Sequence, residues 1–396
     1  LENTLSKGNN DLAKKTLFDT KLAYEKYLDS IKKAYPKYFS RKIDLVQNSL
    51  PSLKKALRKN QVVTSYIWND FDDSSEKLLG LIYSRDATFT FEIQQVDSLR
   101  NQIKKYRKNV SKPFETKEEL TNFQQIAFNL YQRLFPTEEV RNLIKDKELI
   151  ILPDGGLQNI PFEVVITKKN TNKYLIETTD VSYAYSMSFL KYNKNVKRKP
   201  KNNFIGYSPI NFTYDSLSKL KNTEKEITAI EDIVDGTIQI KNTASKEHFF
   251  ANSGDFKIIH LATHADASNS PWIAFSDGKL ELHELYTYKN NADLVVLSAC
   301  NTTLGKMAKG EGVLSLARGF FYSGANSVVS SLWSVNDAST SFIMTDFYKN
   351  LKEDQSKSIA LTNAKRNYLA AHSLSEKLPY YWASFVLIGD TEPIDF

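Results

Sequence analysis

From Phe204 onward, short β-branched or aromatic runs alternate with amphipathic helical ones, and this alternation constrains the fold more than any other feature. FIGYS (204–208) reads as a strand, LKNTEKEITAIEDIV (220–234) as an amphipathic helix, TIQI (237–240) as a short strand and SKEHFFAN (245–252) as a short helix. FKIIHLATH (256–264) and DLVVLSAC (293–300) follow as strands. Then come a helix over 312–323 ended by Gly324, a strand over 326–333, helices near 338–350 and 355–371, and a last strand, FVLIG (385–389). DLVVLSAC is apolar almost without interruption, as a strand must be in a parallel sheet covered on both faces. Alternation at this spacing predicts a doubly wound, mostly parallel α/β sheet with helices on both faces.

The upstream region has a different texture. VVTSYIW (62–68), KLLGLIYS (77–84) and ATFTFEI (87–93), separated by Asp72-Asp73-Ser74-Ser75 and Arg85-Asp86, predict an antiparallel meander. Two helices are expected over 95–109 and 116–134, stopped by Pro136, then a strand over 149–152 and a short helix opened by Pro161. The polar, basic stretch 193–203 (NKNVKRKPKNN) reads as an exposed linker. These features divide the chain into a helical segment over 1–50, one subdomain over 51–195 and another over 204–396.

Residues 1–60 carry 14 Lys+Arg against 6 Asp+Glu, whereas the rest of the chain is near neutral with 39 against 40. A basic, Tyr-containing stretch raises the question of nucleic acid. However, Leu17, Tyr24, Leu28, Ile31 and Tyr35 recur at helical spacing, so the rings belong to a buried stripe and the lysines to its solvated face. Direct nucleic-acid binding is therefore not expected. This segment reads as the end of a helical array that continues upstream. No run approaches ~18 uninterrupted apolar residues, so no membrane-spanning helix is expected. A single cysteine excludes a disulfide scaffold and points to a reducing cytoplasm.

In open α/β sheets, ligands bind at the carboxyl ends of the strands. Two predicted strands end there in reactive side chains, His264 and Cys300. A thiol beside an imidazole is the minimal apparatus for nucleophilic acyl transfer: the ring favours the thiolate and later protonates the leaving amine. Small residues follow both, Ala265 to Ser270 and then Gly305, Gly310 and Gly312, which lets a substrate backbone approach. His260, four residues before His264, raises the possibility of zinc. On a strand, that spacing separates the two rings by about 13 Å, too far to share one ion. His260 reads instead as a packed core histidine, and no metal or other cofactor is expected.

HLATH (260–264), ADLVVLSACNTTLG (292–305), KGEGVLSLARGFFYSGANSVVSSLWSVND (309–337) and YYWASFVLIGD (380–390) together resemble the CHAT-domain peptidases, caspase-like cysteine peptidases related to separase. ILPDGGLQNIPFEVVI (151–166) is similar to the segment that precedes their catalytic subdomain, so the likeness covers roughly 50 to 396.

The resemblance implies a caspase-like fold in two parts, an N-terminal pseudo-caspase subdomain without a dyad and a C-terminal catalytic one. It implies a cysteine endopeptidase with His264 as catalytic histidine, Cys300 as nucleophile, and the backbone N–H groups of Ala265 and Cys300 as oxyanion donors. The family usually has Gly where Ala265 stands, and Ala tolerates positive φ poorly. By the same resemblance SLWSVND, with Trp333 and Asp337, lines the pocket for the residue before the scissile bond, where a carboxylate would favour Arg or Lys. Asp337 also suits a helix N-cap. Asp266 is a second candidate for substrate binding, and Glu311 is expected to border the cleft or to start the next helix. The implied partners are a protein substrate and a regulatory helical-repeat protein such as a TPR array, in bacterial defence or cell-death signalling. The alternative is a catalytically weak scaffold of the same fold.

Overall fold

The computed structural model describes residues 48–69, 77–212, 214, 217–220, 222–267, 270–298, 306–308, 312–314, 316–333 and 337–396, with scattered positions between 15 and 26. The chain divides by compactness into two units, Leu1–Leu53 and Lys54–Phe396. In the first, the described positions from Lys15 to Lys26 are helical. The stripe of Leu17, Tyr24, Leu28, Ile31 and Tyr35 lies outside the described residues.

The second unit is built on an eleven-stranded sheet. The strands among the described residues, in order, are β1 (Gln61–Asn69), β2 (Lys77–Tyr83), β3 (Thr88–Ile93), β4 (Glu148–Leu152), β5 (Asp180–Tyr183), β6 (Asn202–Ser208), β7 (Gly236–Ile240) and β8 (Phe256–Leu261). They continue with β9 (Ala265–Asp266), β10 (Trp272–Phe275), β11 (Gly278–Glu281), β12 (Leu294–Leu297), β13 (Lys306–Ala308), β14 (Gly312–Leu314), β15 (Ser327–Ser331) and β16 (Phe385–Gly389). The large sheet runs β3-β2-β1-β4-β5-β16-β15-β12-β8-β6-β7. Its only antiparallel pairings are β1–β2, β2–β3 and β15–β16, so it is mostly parallel, as the sequence predicts. The meander is at one end, and β9 to β11 form a separate small sheet.

Burial explains why these runs became strands. All four residues of β12 and all five of β15 and β16 are buried, the continuous pattern a doubly covered strand requires. Helices do cover both faces: Ile227 of the helix Thr223–Val234 packs over Gly206, while Phe249 of the helix Lys246–Asn252 packs on Tyr207 from the opposite side of β6. In the N-terminal part, the helix Val96–Val110 buries Val96, Leu99, Ile103, Tyr106 and Val110, an apolar stripe at helical spacing. The helix Lys117–Leu134 starts where the Thr116 hydroxyl accepts the Glu119 N–H at 3.1 Å. No helix among the described residues is long and apolar enough to cross a membrane.

Three readings of the sequence need correction. The expected helix over 312–323 begins only at Leu316, because 312–314 pair with β13 as β14. The expected strands over 256–264 and 293–300 stop at Leu261 and Leu297, leaving His264 three residues beyond the ladder. The stretch 193–203 is not a free linker. The Arg198 guanidinium donates to the carbonyls of Gly324 at 2.8 Å and Asn193 at 3.0 Å, and the Lys201 N–H donates to the Asp255 carbonyl at 2.8 Å.

The helix Leu316–Ser323 ends as its sequence demands. Ala325 N–H bonds the Phe320 carbonyl at 3.0 Å and Gly324 N–H the Phe321 carbonyl at 3.2 Å, with Gly324 at φ +126°. A Cβ at Gly324 would also overlap the carbonyl oxygen of Asn290. Gly324→Ala should therefore destabilise the fold by about 2 kcal/mol or more, read as a lowered denaturation midpoint. A midpoint equal to the wild type would show that this turn relaxes freely.

Candidate active site

The parallel ladder between β8 and β12 sets the frame of the site, with Leu261 opposite Leu297 as its last pair. That register joins residues 36 positions apart, which is also the separation of His264 and Cys300. Beyond the ladder, the chain after β8 is held by other strands. The Ala262 N–H donates to the Tyr207 carbonyl at 2.9 Å, the Thr263 hydroxyl donates to the Ala274 carbonyl at 2.8 Å, and the Ala274 N–H donates to the His264 carbonyl at 2.8 Å. Ala265 then opens β9, paired with Ile273. The histidine backbone is thereby clamped between the large sheet and the small one.

The His264 ring is half-buried, and its Nε2 lies 2.8 Å from the carbonyl oxygen of Ser218. A carbonyl only accepts, so Nε2 carries the proton, and Nδ1 is the basic nitrogen of the neutral ring. The Ser218 hydroxyl is 3.4 Å from the same Nε2, and the Phe212 ring packs against the imidazole at 5.1 Å between centroids. Both belong to the segment after β6, whose path is closed by the Leu220 N–H bond to the Ile210 carbonyl at 3.1 Å. The Tyr214 hydroxyl ties this segment to the β10–β11 turn, 2.6 Å from the Phe275 carbonyl and 2.8 Å from that of Gly278.

The other residues singled out in the sequence take several positions. Cys300 and Glu311 lie outside the described residues. Ala265 has extended backbone and is not among the residues of positive φ, so the alanine sits there without backbone strain. Asp266 is half-buried beside it in β9, opposite Trp272. Asp337 is the first residue of the helix Asp337–Lys352. Trp333 is only 3 % exposed, and its Nε1–H donates to the Tyr380 carbonyl at 3.0 Å. The structure gathers Ala265 and Asp266 about His264.

Residues that the sequence did not flag complete the surroundings. Arg107, from the helix Val96–Val110, reaches across to the end of β15: it donates to the Leu332 carbonyl, and its guanidinium carbon stands 5.0 Å from the centre of the Trp333 ring. Burial lowers its pKa to about 10, still charged at neutral pH. Nothing in the sequence marks the Ser218 carbonyl, because a backbone acceptor carries no residue signature. His260 is fully buried, as expected of a core histidine. Among the described residues, no three of His, Cys, Asp and Glu gather into a metal-binding group.

Comparison with known proteins bears on this arrangement. The CHAT domain profile matches residues 124–390. Tetratricopeptide repeat protein 28 of Homo sapiens is 34% identical over 96 residues, 24% of this chain and 4% of that protein. Its Mus musculus counterpart is 30% identical over 106 residues, 27% of this chain and again 4% of the relative. The chain thus spans a small fraction of the curated relatives it matches. Among solved structures, the Saccharomyces cerevisiae separase–securin complex is similar at a TM-score of 0.54 and 10% identity, covering 89% of this chain and 33% of that one. At that identity the likeness is one of fold, a caspase-like mixed α/β sheet.

Proposed function

Because this chain belongs to the CHAT domain family, a family of caspase-like peptidases, we propose that it is a cysteine endopeptidase in which Cys300 attacks the scissile carbonyl and His264 manages the proton. The observation that carries this reading is the placement of His264. It stands past the carboxyl end of β8, with Nε2 occupied by the Ser218 carbonyl and Nδ1 left as the base, beside the strand that leads to the chain's single cysteine. In the reaction, Nδ1 accepts the thiol proton as sulfur bonds to the carbonyl carbon. The tetrahedral oxyanion is held by the backbone N–H groups of Ala265 and Cys300, and the imidazolium then protonates the departing amine. Water cleaves the acyl-enzyme by the same route in reverse.

The sheet from 51 to 195 is the pseudo-caspase part in this reading, and 204–396 the catalytic part. Trp333, held by Arg107 and by the Tyr380 carbonyl, is proposed to line the pocket for the residue before the scissile bond. The Asp337 carboxylate is proposed to receive Arg or Lys before the scissile bond, with Asp266 and Glu311 on the cleft's border. The partner proposed is a TPR-type helical repeat acting on the enzyme in cis or trans, which the match to a tetratricopeptide repeat protein supports. The setting is cytoplasmic, in defence or cell-death signalling.

A positional peptide library tests activity and specificity together. Cleavage should follow Arg or Lys, and Asp337→Asn should lose that preference by about tenfold or more. If no peptide is cleaved, with or without a helical-repeat partner, the chain is a scaffold and the reading falls.

A further inference from the structure

A buried polar cluster lies inside the sheet at the carboxyl ends of β8 and β12 and takes no part in the chemistry above. Glu226, on the helix Thr223–Val234, is 3 % exposed, and its Oε1 meets two groups: the Ser298 hydroxyl at 2.7 Å and His260 Nε2 at 3.1 Å. On the far side of the ring, His260 Nδ1 lies 3.0 Å from the Tyr348 hydroxyl, from the helix Asp337–Lys352. Proton bookkeeping orders the cluster. Burial, and then the Glu226 charge, push the Tyr348 hydroxyl well above its usual pKa, so it keeps its proton and donates to Nδ1. The His260 proton is then on Nε2 and goes to Glu226, which also accepts from Ser298. One carboxylate oxygen thus ties β8 and the end of β12 to the helix that covers them.

The position of Ser298 gives this cluster its meaning. The β8–β12 ladder ends at Leu261–Leu297, so Ser298 is the first residue of its strand without that support. The bond to Glu226 takes over where the backbone bonds stop, two residues before Cys300. His260 anchors the other strand four residues before His264. Ile258, Leu294 and Val296, on the same face of β8 and β12 as His260 and Ser298, are apolar and buried, and a further apolar residue would serve mere packing at least as well as a buried carboxylate.

We infer that Glu226 is a positioning residue: through Ser298 and His260 it fixes the ends of β12 and β8 so that thiol, imidazole and oxyanion donors keep their mutual geometry. The inference rests on the peptidase reading. The test uses the full chain and a peptide that the wild type cleaves. Ser298→Ala and Glu226→Leu should each lower kcat about tenfold or more while KM stays within about twofold. Glu226→Gln keeps an oxygen that accepts from both donors and should restore most of kcat. Iodoacetamide alkylation reports one thiol only, since the chain has a single cysteine, and its rate follows the thiolate that the imidazole favours; it should fall in Ser298→Ala together with kcat. Unchanged kcat in a folded Ser298→Ala overturns the inference, as does a Glu226→Gln no better than Glu226→Leu. Should Glu226→Leu fail to fold, Ser298→Ala alone decides. Cys300→Ala, assayed alongside, separates the two failures: if it still cleaves, the peptidase reading is wrong, whereas a dead Cys300→Ala beside an unimpaired Ser298→Ala sinks only the positioning role.

Discussion

Cys300→Ala should reduce peptide hydrolysis by at least about 10³-fold while leaving the unfolding transition in place, because it removes the only thiol that can form an acyl-enzyme. His264→Ala should fall nearly as far. The informative measurement is the double variant. Nucleophile and base act as one unit, so losing both should cost little more than losing Cys300 alone. If instead the two losses multiply, His264 contributes by some route other than handling the thiol proton. A Cys300→Ala protein that hydrolyses at the wild-type rate would remove the mechanism altogether.

The second large effect concerns stability and is far from the proposed chemistry. Lys365, on the helix Lys357–Ala371, pairs with Glu163 at 2.9 Å, and both side chains are 2 % exposed. The other Glu163 oxygen accepts from the Tyr183 hydroxyl at 2.5 Å. Burial, and next the Glu163 charge, hold that hydroxyl well above its usual pKa, so it stays a donor. Lys365→Met strands the carboxylate in the core and should cost about 3–5 kcal/mol in equilibrium denaturation. Lys365→Met with Glu163→Gln, which removes the stranded charge, should recover most of that loss. A single Lys365→Met that costs less than about 1 kcal/mol would mean that Glu163 is reached by water or takes up a proton without penalty.

The contrast between what was legible and what was not follows from the range of the interactions. The strands after residue 204 are readable because a doubly covered strand must be largely apolar: LVVL (294–297) is so throughout, and FKIIHL (256–261) departs only at Lys257 and His260. The meander showed through its β-branched and aromatic runs. By contrast β14 (GVL) is three residues long, and a short apolar run next to a helix cannot be told from that helix without knowing that 306–308 pair with it. The four residues of β5 (DVSY) and the small sheet of β9 to β11 were missed for the same reason. At the site, His264 was found because side-chain chemistry is written in residue types. The Ser218 carbonyl, 46 residues away, has no such signature. Glu226 did leave one: it occupies the buried stripe it shares with Ile230 and Val234, where a carboxylate is out of place unless something in the core receives it.

The order of strands at the centre of the sheet has a consequence for how the molecule is made. β16, residues 385–389, lies between β5 and β15 and is the last of this sheet's described strands in chain order, so it is made after both of its neighbours. While the ribosome is still adding residues short of Phe385, each half of the sheet has an additional open margin, at β5 and at β15, of unpaired amides and carbonyls, a surface prone to mispairing with other chains. The closing segment arrives after both halves exist and zips them together. A nascent chain therefore has no continuous sheet until translation of this region is finished.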